Sequence, residues 1–384
     1  PNPLPSASSR PRFSGRVPRG PGAGRGEGIR KYHELSEDEK ATVYYAVMHM
    51  RDLTSWSPQD IRRKLIEMYC IDPGDELQGW LNGTLKPKFK LSTFEKAVWY
   101  HRAYEMITKL RRTYPELKDE EIVEMISKTL PVHISASTIY KWVTGKSRPN
   151  ITPLKLTRET LPAIAYCVGV LCGDYRRTVG GLKAKDREFV EYYAKMYEKA
   201  TGVKVRLHRS KDGYWITYES GGWLKSCWAT GLWKIFAELD PVNWLKGLFD
   251  SEGGVSPVCY HKRKILRSVE LYLAIGDPEV KYMAKRELER LGFRVRERHR
   301  SGEIRIIDGK IRVFKDYWHL YVRGWNHAAN FARFIDFRIN RRREMLNDLL
   351  KLRPLPPQMR YKLWTQKYQK VNGKWRRIPS TPNS

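Results

Sequence analysis

The chain has 384 residues, and its 72 Lys and Arg against 42 Asp and Glu give a formal net charge of +30. A surplus of this size indicates a polyanionic partner, most often nucleic acid. The longest apolar run, LPAIAYCVGVLC, is too short to cross a bilayer, which needs about 20 residues, so we expect no membrane association. The five cysteines form no CxxC pair, which argues against a zinc site or a disulfide framework and favours reduced thiols.

Residues 1–31 are basic and rich in Pro, Gly and Ser, with Glu27 as their only acid. This composition predicts a disordered basic arm, which either follows DNA or is a solvated tail without a specific partner. No apolar core of a secretory signal is visible near residue 1. We therefore expect a cytoplasmic protein that associates with the nucleoid at its target.

Residues 32–153 are predicted to be helical and contain an internal repeat. SPQDIRRKLIEMYCIDPGDELQGWLNGTLKP (57–87) aligns with KDEEIVEMISKTLPVHISASTIYKWVTGKSRP (118–149), which places Trp80 against Trp142. Each copy predicts two short helices joined by a turn, with apolar residues four apart in the first helix. The pattern resembles tandem helix-turn-helix modules, in which the second helix enters the major groove and the Trp packs beneath it. The alternative is a helical platform for a protein partner.

By that resemblance, polar and basic residues of each second helix and of the segment after it contact DNA. In the first copy they are Gln78, Asn82, Lys86 and Lys88, and in the second copy they are Ser137, Thr138, Tyr140, Lys141, Lys146 and Arg148. The basic members of this set lie where phosphates would be.

Two motifs with helical apolar patterns end in acids. AYCVGVLCGDY ends at Asp174 and Tyr175, and WLKGLFDSEGG carries Glu252 before its final glycines. Aligning Gly169 with Gly247 also aligns Asp174 with Glu252. The two motifs resemble those of the LAGLIDADG homing endonuclease family in its single-chain, two-motif form.

The resemblance implies an α+β fold, with pseudo-two-fold αββαββα repeats that form DNA-binding β-saddles behind the all-α helix-turn-helix region. The endonuclease domain would span 154–352, with subdomains at about 160–240 and 241–352. Asp186 lies only twelve positions after Asp174, so the first hairpin should be short or missing. The closing helices are expected at WLKSCWATGLWKIFAEL and WNHAANFARFIDFRI, and the last hairpin should pair FRVRERHRSGEIRI with VFKDYWHLYVRG.

Close packing of the two motif helices around a bound cation would explain both the glycines within them and the acids at their ends. Small residues let two helices approach closely, although each helical glycine costs about 1 kcal/mol relative to alanine. Carboxylates at the negative ends of two adjacent helices are unfavourable and repel one another, which raises a pKa unless a cation intervenes. Mg2+ (or Mn2+) suits such oxygen ligands. The resemblance implies that Asp174 and Glu252 are the catalytic, metal-binding acids, assisted by the carbonyls of Gly173 and Ser251.

Further basic residues are expected to contact DNA from the saddles and near the closing helices. They are Arg206, Arg209, Lys262, Arg263, Lys264, Arg296, Arg298, Arg300, Arg338 and Arg342. Among them, Arg338 and Arg342 are candidates for the basic residue that assists the reaction, with Lys234 as a further candidate in the first copy. The basic, aromatic tail over 353–384 either follows DNA or packs its rings on the domain.

The sequence thus favours a monomeric, intron-encoded, site-specific endonuclease that cuts both strands of DNA with a divalent metal. One alternative is a DNA-binding regulator that has this fold without cleaving. Another is an intron maturase that binds RNA. Deleting residues 1–153 is expected to leave a domain that still folds.

Overall fold

The computed structural model describes residues 28–35, 37–85, 93–130, 132–147, 149, 154–177, 180–219, 223–229, 231–307, 310–314, 316–371 and 373–379. Within these residues the fold is α+β, with fifteen α-helices and five small sheets. None of the described helices is long and apolar enough to cross a membrane.

The first part of the described chain is helical, as predicted. Its elements are β1 (Arg30–Lys31), α1 (Glu37–Leu53), α2 (Pro58–Tyr69), β2 (Ile71–Asp72), α3 (Glu76–Leu81), α4 (Thr93–Thr113), α5 (Asp119–Thr129) and α6 (Ala136–Val143). The repeated pairs α2–α3 and α5–α6 confirm the predicted helices. Because β1 pairs in parallel with β2, Arg30 and Lys31 are ordered, which corrects their assignment to the disordered arm.

Each repeat encloses its tryptophan. Trp80 is 2% exposed and meets the ring of Tyr44 edge-on at 5.6 Å. Trp142 is 6% exposed and meets Tyr104 in the same way at 5.6 Å. The predicted packing of both rings beneath the second helices is therefore confirmed.

The segment that carries the first motif is compact. Its elements are α7 (Leu161–Leu171), β3 (Lys183–Ala184), α8 (Arg187–Thr201), β4 (Leu207–Arg209), β5 (Trp215–Thr217), α9 (Trp223–Ala229) and α10 (Trp233–Leu239). The first hairpin is reduced to β3 and one bridge between Tyr175 and Leu182, as expected. The single closing helix predicted here is instead two, because Gly231 adopts φ +74° between them, a left-handed conformation that ends a helix.

The segment that carries the second motif contains an antiparallel sheet in the order β6-β7-β11-β8. Its elements are α11 (Pro241–Glu252), β6 (Gly253–Tyr260), β7 (Ile265–Ile275), α12 (Pro278–Arg290), β8 (Val295–Arg300), β9 (Glu303–Ile307), β10 (Lys310–Phe314), β11 (Tyr317–Arg323) and α13 (Trp325–Phe334). After them come α14 (Asn340–Leu352), α15 (Pro357–Lys367), β12 (Tyr368–Val371) and β13 (Lys374–Arg377).

Two predicted boundaries in this segment were wrong. The strand expected over 293–306 ends at Arg300, because β9 and β10 pair only with each other and form a separate hairpin. The closing helix ends at Phe334, because Asp336 adopts φ +58°, a left-handed conformation that a helix cannot continue through. A separate helix, α14, follows α13, and the sequence did not predict a break between the two.

The helical region and the motif-bearing region share one hydrophobic core. The Tyr69 hydroxyl donates to the Gly231 carbonyl at 3.1 Å, and His49 lies 6.1 Å from the Phe236 ring. Lys64 of α2 pairs with Glu238 of α10 at 2.8 Å, and the Glu238 side chain is 1% exposed. Deleting residues 1–153 would uncover these buried groups, so the structure argues against an independently folding remainder.

The Glu238 ion-pair cluster should stabilise this junction. Glu238 also pairs with Arg286 and Arg290 of α12, and these cations keep its pKa below the usual range despite burial. We expect Glu238→Gln to lower the free energy of unfolding by on the order of 2 kcal/mol, because it leaves cations at the junction with fewer partners. Denaturant unfolding measures this, with Glu124→Gln as the control, since Glu124 forms only an exposed pair. Equal effects of the two changes would contradict the prediction.

Candidate catalytic site and nucleic-acid surface

The two motif helices, α7 and α11, touch through their glycines. A Cβ atom at Gly169 would lie 2.1 Å from the carbonyl oxygen of Trp244, and one at Gly247 would lie 2.2 Å from that of Tyr166. No side chain fits at such distances, so only glycine allows this backbone contact. The predicted reason for the helical glycines is confirmed.

The same contact brings the predicted site residues together. A Cβ atom at Gly173 would lie 2.5 Å from Cβ of Ser251 and 3.0 Å from Cγ of Glu252. Asp174 follows Gly173 directly, so the ends of the two motifs meet at one place. The glycine pair after Glu252 also has a role there, because a Cβ at Gly253 would clash with Phe249 where the helix turns into β6.

The two carboxylates lie in an environment that disfavours their charges. Burial and, to a smaller extent, the neighbouring charge of Asp174 raise the pKa of Glu252 to about 7, against the opposing charges of Arg342 and Arg177. Asp174 is exposed on one side, yet the surrounding protein removes enough water to raise its pKa to about 6, against the opposing charge of Arg342. Neither acid forms an ion pair with any described residue.

Asp250, one residue before Ser251, has a different environment. Its carboxylate is fully buried and accepts hydrogen bonds from the Tyr166 hydroxyl at 2.9 Å and from the Arg338 amide at 2.8 Å. Burial raises its pKa to about 6. Asp250 of α11 therefore links α7 and the residues before α14 by hydrogen bonds, and it faces away from the site.

The two arginines expected near the closing helix lie around this acid. Arg342 donates from Nη1 to the carbonyls of Phe249 and Asp250, both at 2.8 Å, where a cation offsets the negative end of α11. The Arg338 guanidinium lies over the Tyr192 ring at 5.1 Å. Their DNA contacts remain predictions. Lys234 is buried and pairs with Glu279 at 3.1 Å.

Sequence reasoning missed Arg177. Its guanidinium stacks on Trp228 at 3.6 Å and donates to the Leu171 carbonyl at 3.1 Å. Its charge lowers the pKa of Glu252, as the charge of Arg342 does. The sequence signal that could have indicated it is the pair of arginines, Arg176 and Arg177, directly after Asp174 and Tyr175.

The donors present fit a hard divalent cation. No cluster of three or more His, Cys, Asp or Glu side chains suited to a metal exists among the described residues, so a complete protein cage is absent from that part of the chain. Two carboxylates with nearby carbonyls match Mg2+, which keeps several waters and takes phosphate oxygens. Ser251 Oγ is buried without a hydrogen-bond partner among the described residues, which leaves an unsatisfied oxygen beside these acids.

The open face of the large sheet carries the predicted strand arginines. Arg296, Arg298 and Arg300 alternate along β8 and are all exposed. In the sheet register Arg296 lies opposite Tyr321 of β11, which lies opposite Tyr272 of β7, and Tyr272 in turn lies opposite a residue of β6. On the opposite face, Leu320 of β11 and Leu273 of β7 are buried. A basic and aromatic row therefore runs from the edge strand to the strand that begins at the site.

A groove at the far end of this face was not predicted. Its volume is about 390 Å³. Its arginines come from β7, β11, β8 and the residue before β8, so only the sheet register brings them together. The lining residues are Val258, Tyr260, Arg267, Ser268, Arg294, Arg296, Arg323 and His327.

The other predicted contacts are dispersed over the surface. Arg206 is exposed just before β4 and Arg209 is exposed at its end, and Lys262, Arg263 and Lys264 are exposed in the β6–β7 turn. Within the helical region, Gln78 is exposed on α3 and Asn82 follows it, with Gln78 Nε2 donating to Asn82 Oδ1 at 3.2 Å. The α6 set is exposed or half-buried: Ser137, Thr138, Tyr140, Lys141 and, just beyond the helix, Lys146. Lys86, Lys88 and Arg148 lie outside the described residues.

The raised acid pKa values predict a pH dependence of stability. The folded-state pKa of Glu252 is about 7, above the ordinary value of 4.5, so the folded protein holds its proton longer than the unfolded chain does. The free energy of unfolding should therefore fall as pH rises from about 4.5 to 7. We expect Glu252→Gln to weaken this dependence in denaturant titrations with chelator, whereas Glu120→Gln on the exposed face of α5 should not. Parallel profiles for the two variants would contradict the prediction.

Comparisons with known proteins give limited similarity. No family model matches the chain. The uncharacterized protein MJ0398 of Methanocaldococcus jannaschii is 26% identical over 240 residues, which is 57% of this chain and 83% of that protein. The structure of I-DmoI in complex with DNA and Mn is 17% identical, with a TM-score of 0.30, over 46% of this chain and 97% of its own. The I-DmoI complex with DNA and Ca is 16% identical, with the same TM-score, over 46% of this chain and 90% of its own.

Proposed function

We propose that this protein is a site-specific DNA endonuclease of the LAGLIDADG homing type, which hydrolyses phosphodiesters in both strands with a divalent metal. The observation that carries the proposal is the meeting of Asp174 and Glu252 at the ends of two glycine-packed helices. Such contact costs helix propensity and places like charges together, so a functional reason for keeping both acids is favoured.

The surroundings of the two acids support this reaction. The acids, with the carbonyls of Gly173 and Ser251, would hold Mg2+ or Mn2+. When bound, the metal would activate water and stabilise the leaving oxygen of the phosphodiester. Because β6 begins directly after Glu252, DNA lying along the open face of the sheet would pass the acids.

The protein's own groups would perform the binding. Arg296, Arg298 and Arg300 would contact the backbone and groove from β8, and α3 and α6 would contact DNA at a second region. Arg177 and Arg342 flank Glu252 with permanent positive charge, and an arginine cannot serve as the general base. We therefore assign them to charge balance at the site.

Incubation with a library of long DNA duplexes tests the proposal. With Mg2+ or Mn2+, sequencing of the new ends should show both strands cut at a defined site, and chelator should prevent cutting. Tight duplex binding without new ends under either metal would favour the non-cleaving regulator. Preference for folded intron RNA over every duplex would favour the maturase.

A further inference from the structure

The chain after α14 folds back onto the β6–β7 turn. Trp364 of α15 and Tyr368 of β12 are 1% and 2% exposed and stack with centroids 4.0 Å apart. Trp375 of β13 meets Trp364 edge-on at 5.7 Å. The tail's aromatic residues therefore form a small folded unit, which decides between the two readings of these rings in favour of packing.

His261 joins this unit to the turn. Its ring lies 6.0 Å from the Trp375 ring at an interplanar angle of 24°, and its Nδ1 is 3.2 Å from the Tyr361 hydroxyl. Lys370 of β12 lies close to β6, where its charge partly offsets the burial that raises the pKa of Cys259. The tip of the large sheet and the terminal hairpin therefore form one continuous surface.

Cations dominate this terminal surface. Lys262, Arg263 and Lys264 are exposed in the turn, and Lys370, Lys374 and Arg376 are exposed in the hairpin. None of the six forms an ion pair with any residue that the structure describes. Two nearby acids form ion pairs with other cations: Glu344 pairs with Arg377, and Asp348 pairs with Lys367. Six positive charges clustered at the end of a sheet favour an anionic partner.

We propose that the terminal surface, formed by the β6–β7 turn and the β12–β13 hairpin, grips the phosphate backbone of duplex DNA beyond the end of the sheet. This inference rests on the proposed function for the direction of the DNA. Gly253, at the site, and Tyr260, at the turn, are seven residues apart in β6, or about 23 Å at 3.3 Å per residue. At about 3.4 Å per base pair, the contact lies about seven base pairs from the cut.

The placement of the rings favours duplex over single-stranded nucleic acid. Proteins that hold single strands present aromatic faces on which bases stack. Here the Trp364 and Tyr368 rings face inward and Trp375 is covered in part by His261, so the hairpin presents charge without a stacking platform. A surface of this kind suits sequence-independent backbone contact.

A charge-neutralising triple variant tests the inference. Lys370→Gln, Lys374→Gln and Arg376→Gln together should make the slope of log affinity against log salt shallower by about 2 to 3 for a long random-sequence duplex, at about 0.9 per phosphate. The matched control neutralises Lys155, Lys195 and Lys199, which are exposed on or beside α8, and should leave the slope unchanged. The single change Lys374→Gln should alter the slope by about 1, which serves if the triple variant folds poorly.

Equal slopes for the two triple variants would overturn the inference, as would a change confined to folded RNA of equal length. Cleavage is not needed for this measurement, so an inactive protein with the expected slope difference would reject the proposed function and leave the terminal surface supported. If cleavage is found, replacing phosphates about seven base pairs from the cut by uncharged methylphosphonates should lower the DNA affinity of the wild type. The DNA affinity of the triple variant should not change. Equal sensitivity of both proteins would count against the assigned position.

Discussion

Asp174→Asn and Glu252→Gln are each expected to reduce DNA cleavage by about 10³-fold or more, while duplex affinity stays within a few-fold. Loss of an essential active-site group generally costs this much or more. The amides keep the shape of the acids and remove the charge that would hold the metal. Single-turnover cleavage of the identified target, with affinity measured in Ca2+, separates the two quantities.

Two further variants locate the effect. Glu191→Gln alters an exposed carboxylate of α8 and should cut at the wild-type rate. Asp250→Asn alters a buried carboxylate that accepts two hydrogen bonds and should lower stability. If both site amides cut at the wild-type rate, the assignment of these two acids is wrong.

Gly169→Ala and Gly247→Ala are each expected to destabilise the protein by about 3 kcal/mol or more, at the upper end of overpacking effects. The added methyl would meet a backbone carbonyl at 2.1 or 2.2 Å, and backbone cannot rotate away as a side chain can. The helices must therefore separate. Denaturant unfolding measures the loss.

Gly276→Ala is the matched control, because the nearest atom beyond its chain neighbours, the Asp316 carbonyl oxygen, would be 3.9 Å from the new Cβ. It should change stability by far less than either helix glycine. A similar unfolding midpoint for Gly169→Ala and Gly276→Ala would show that the helices can repack at little cost. Separation of α7 and α11 should also displace Asp174 from Glu252 and reduce cleavage in any Gly169→Ala protein that remains folded.

Local patterns in the sequence predicted the parts of the fold that local forces determine. Ile61 and Leu65 lie four residues apart and are both buried, and the glycine-spaced motifs gave the contact of α7 with α11. The placement of Asp250 follows from helix geometry. Residues two apart point to nearly opposite sides of a helix, so Asp250 turns inward when Glu252 reaches the site.

Features that depend on distant contacts could not be predicted. Arg342 caps α11 from more than ninety positions along the chain, and no local pattern indicates which carbonyls it meets. Arg267, Arg294 and Arg323 meet only through the register of β7, β8 and β11. The tail likewise packs on the β6–β7 turn through the contact of His261 with Trp375, which composition does not reveal.

The buried junction around Glu238 sets the spacing between the helical region and the large sheet. Lys64 belongs to the helical region, and Arg286 and Arg290 belong to the helix beneath the large sheet, so their shared pairing with Glu238 holds these two regions together. If both regions bind one duplex, each base pair inserted between their contacts rotates one against the other by about 34 to 36°, since a turn holds 10 to 10.5 base pairs. A target with five extra base pairs would present its opposite side to α3 and α6. A target with ten extra base pairs would present the original side again, but the two contacts would lie farther apart along the duplex.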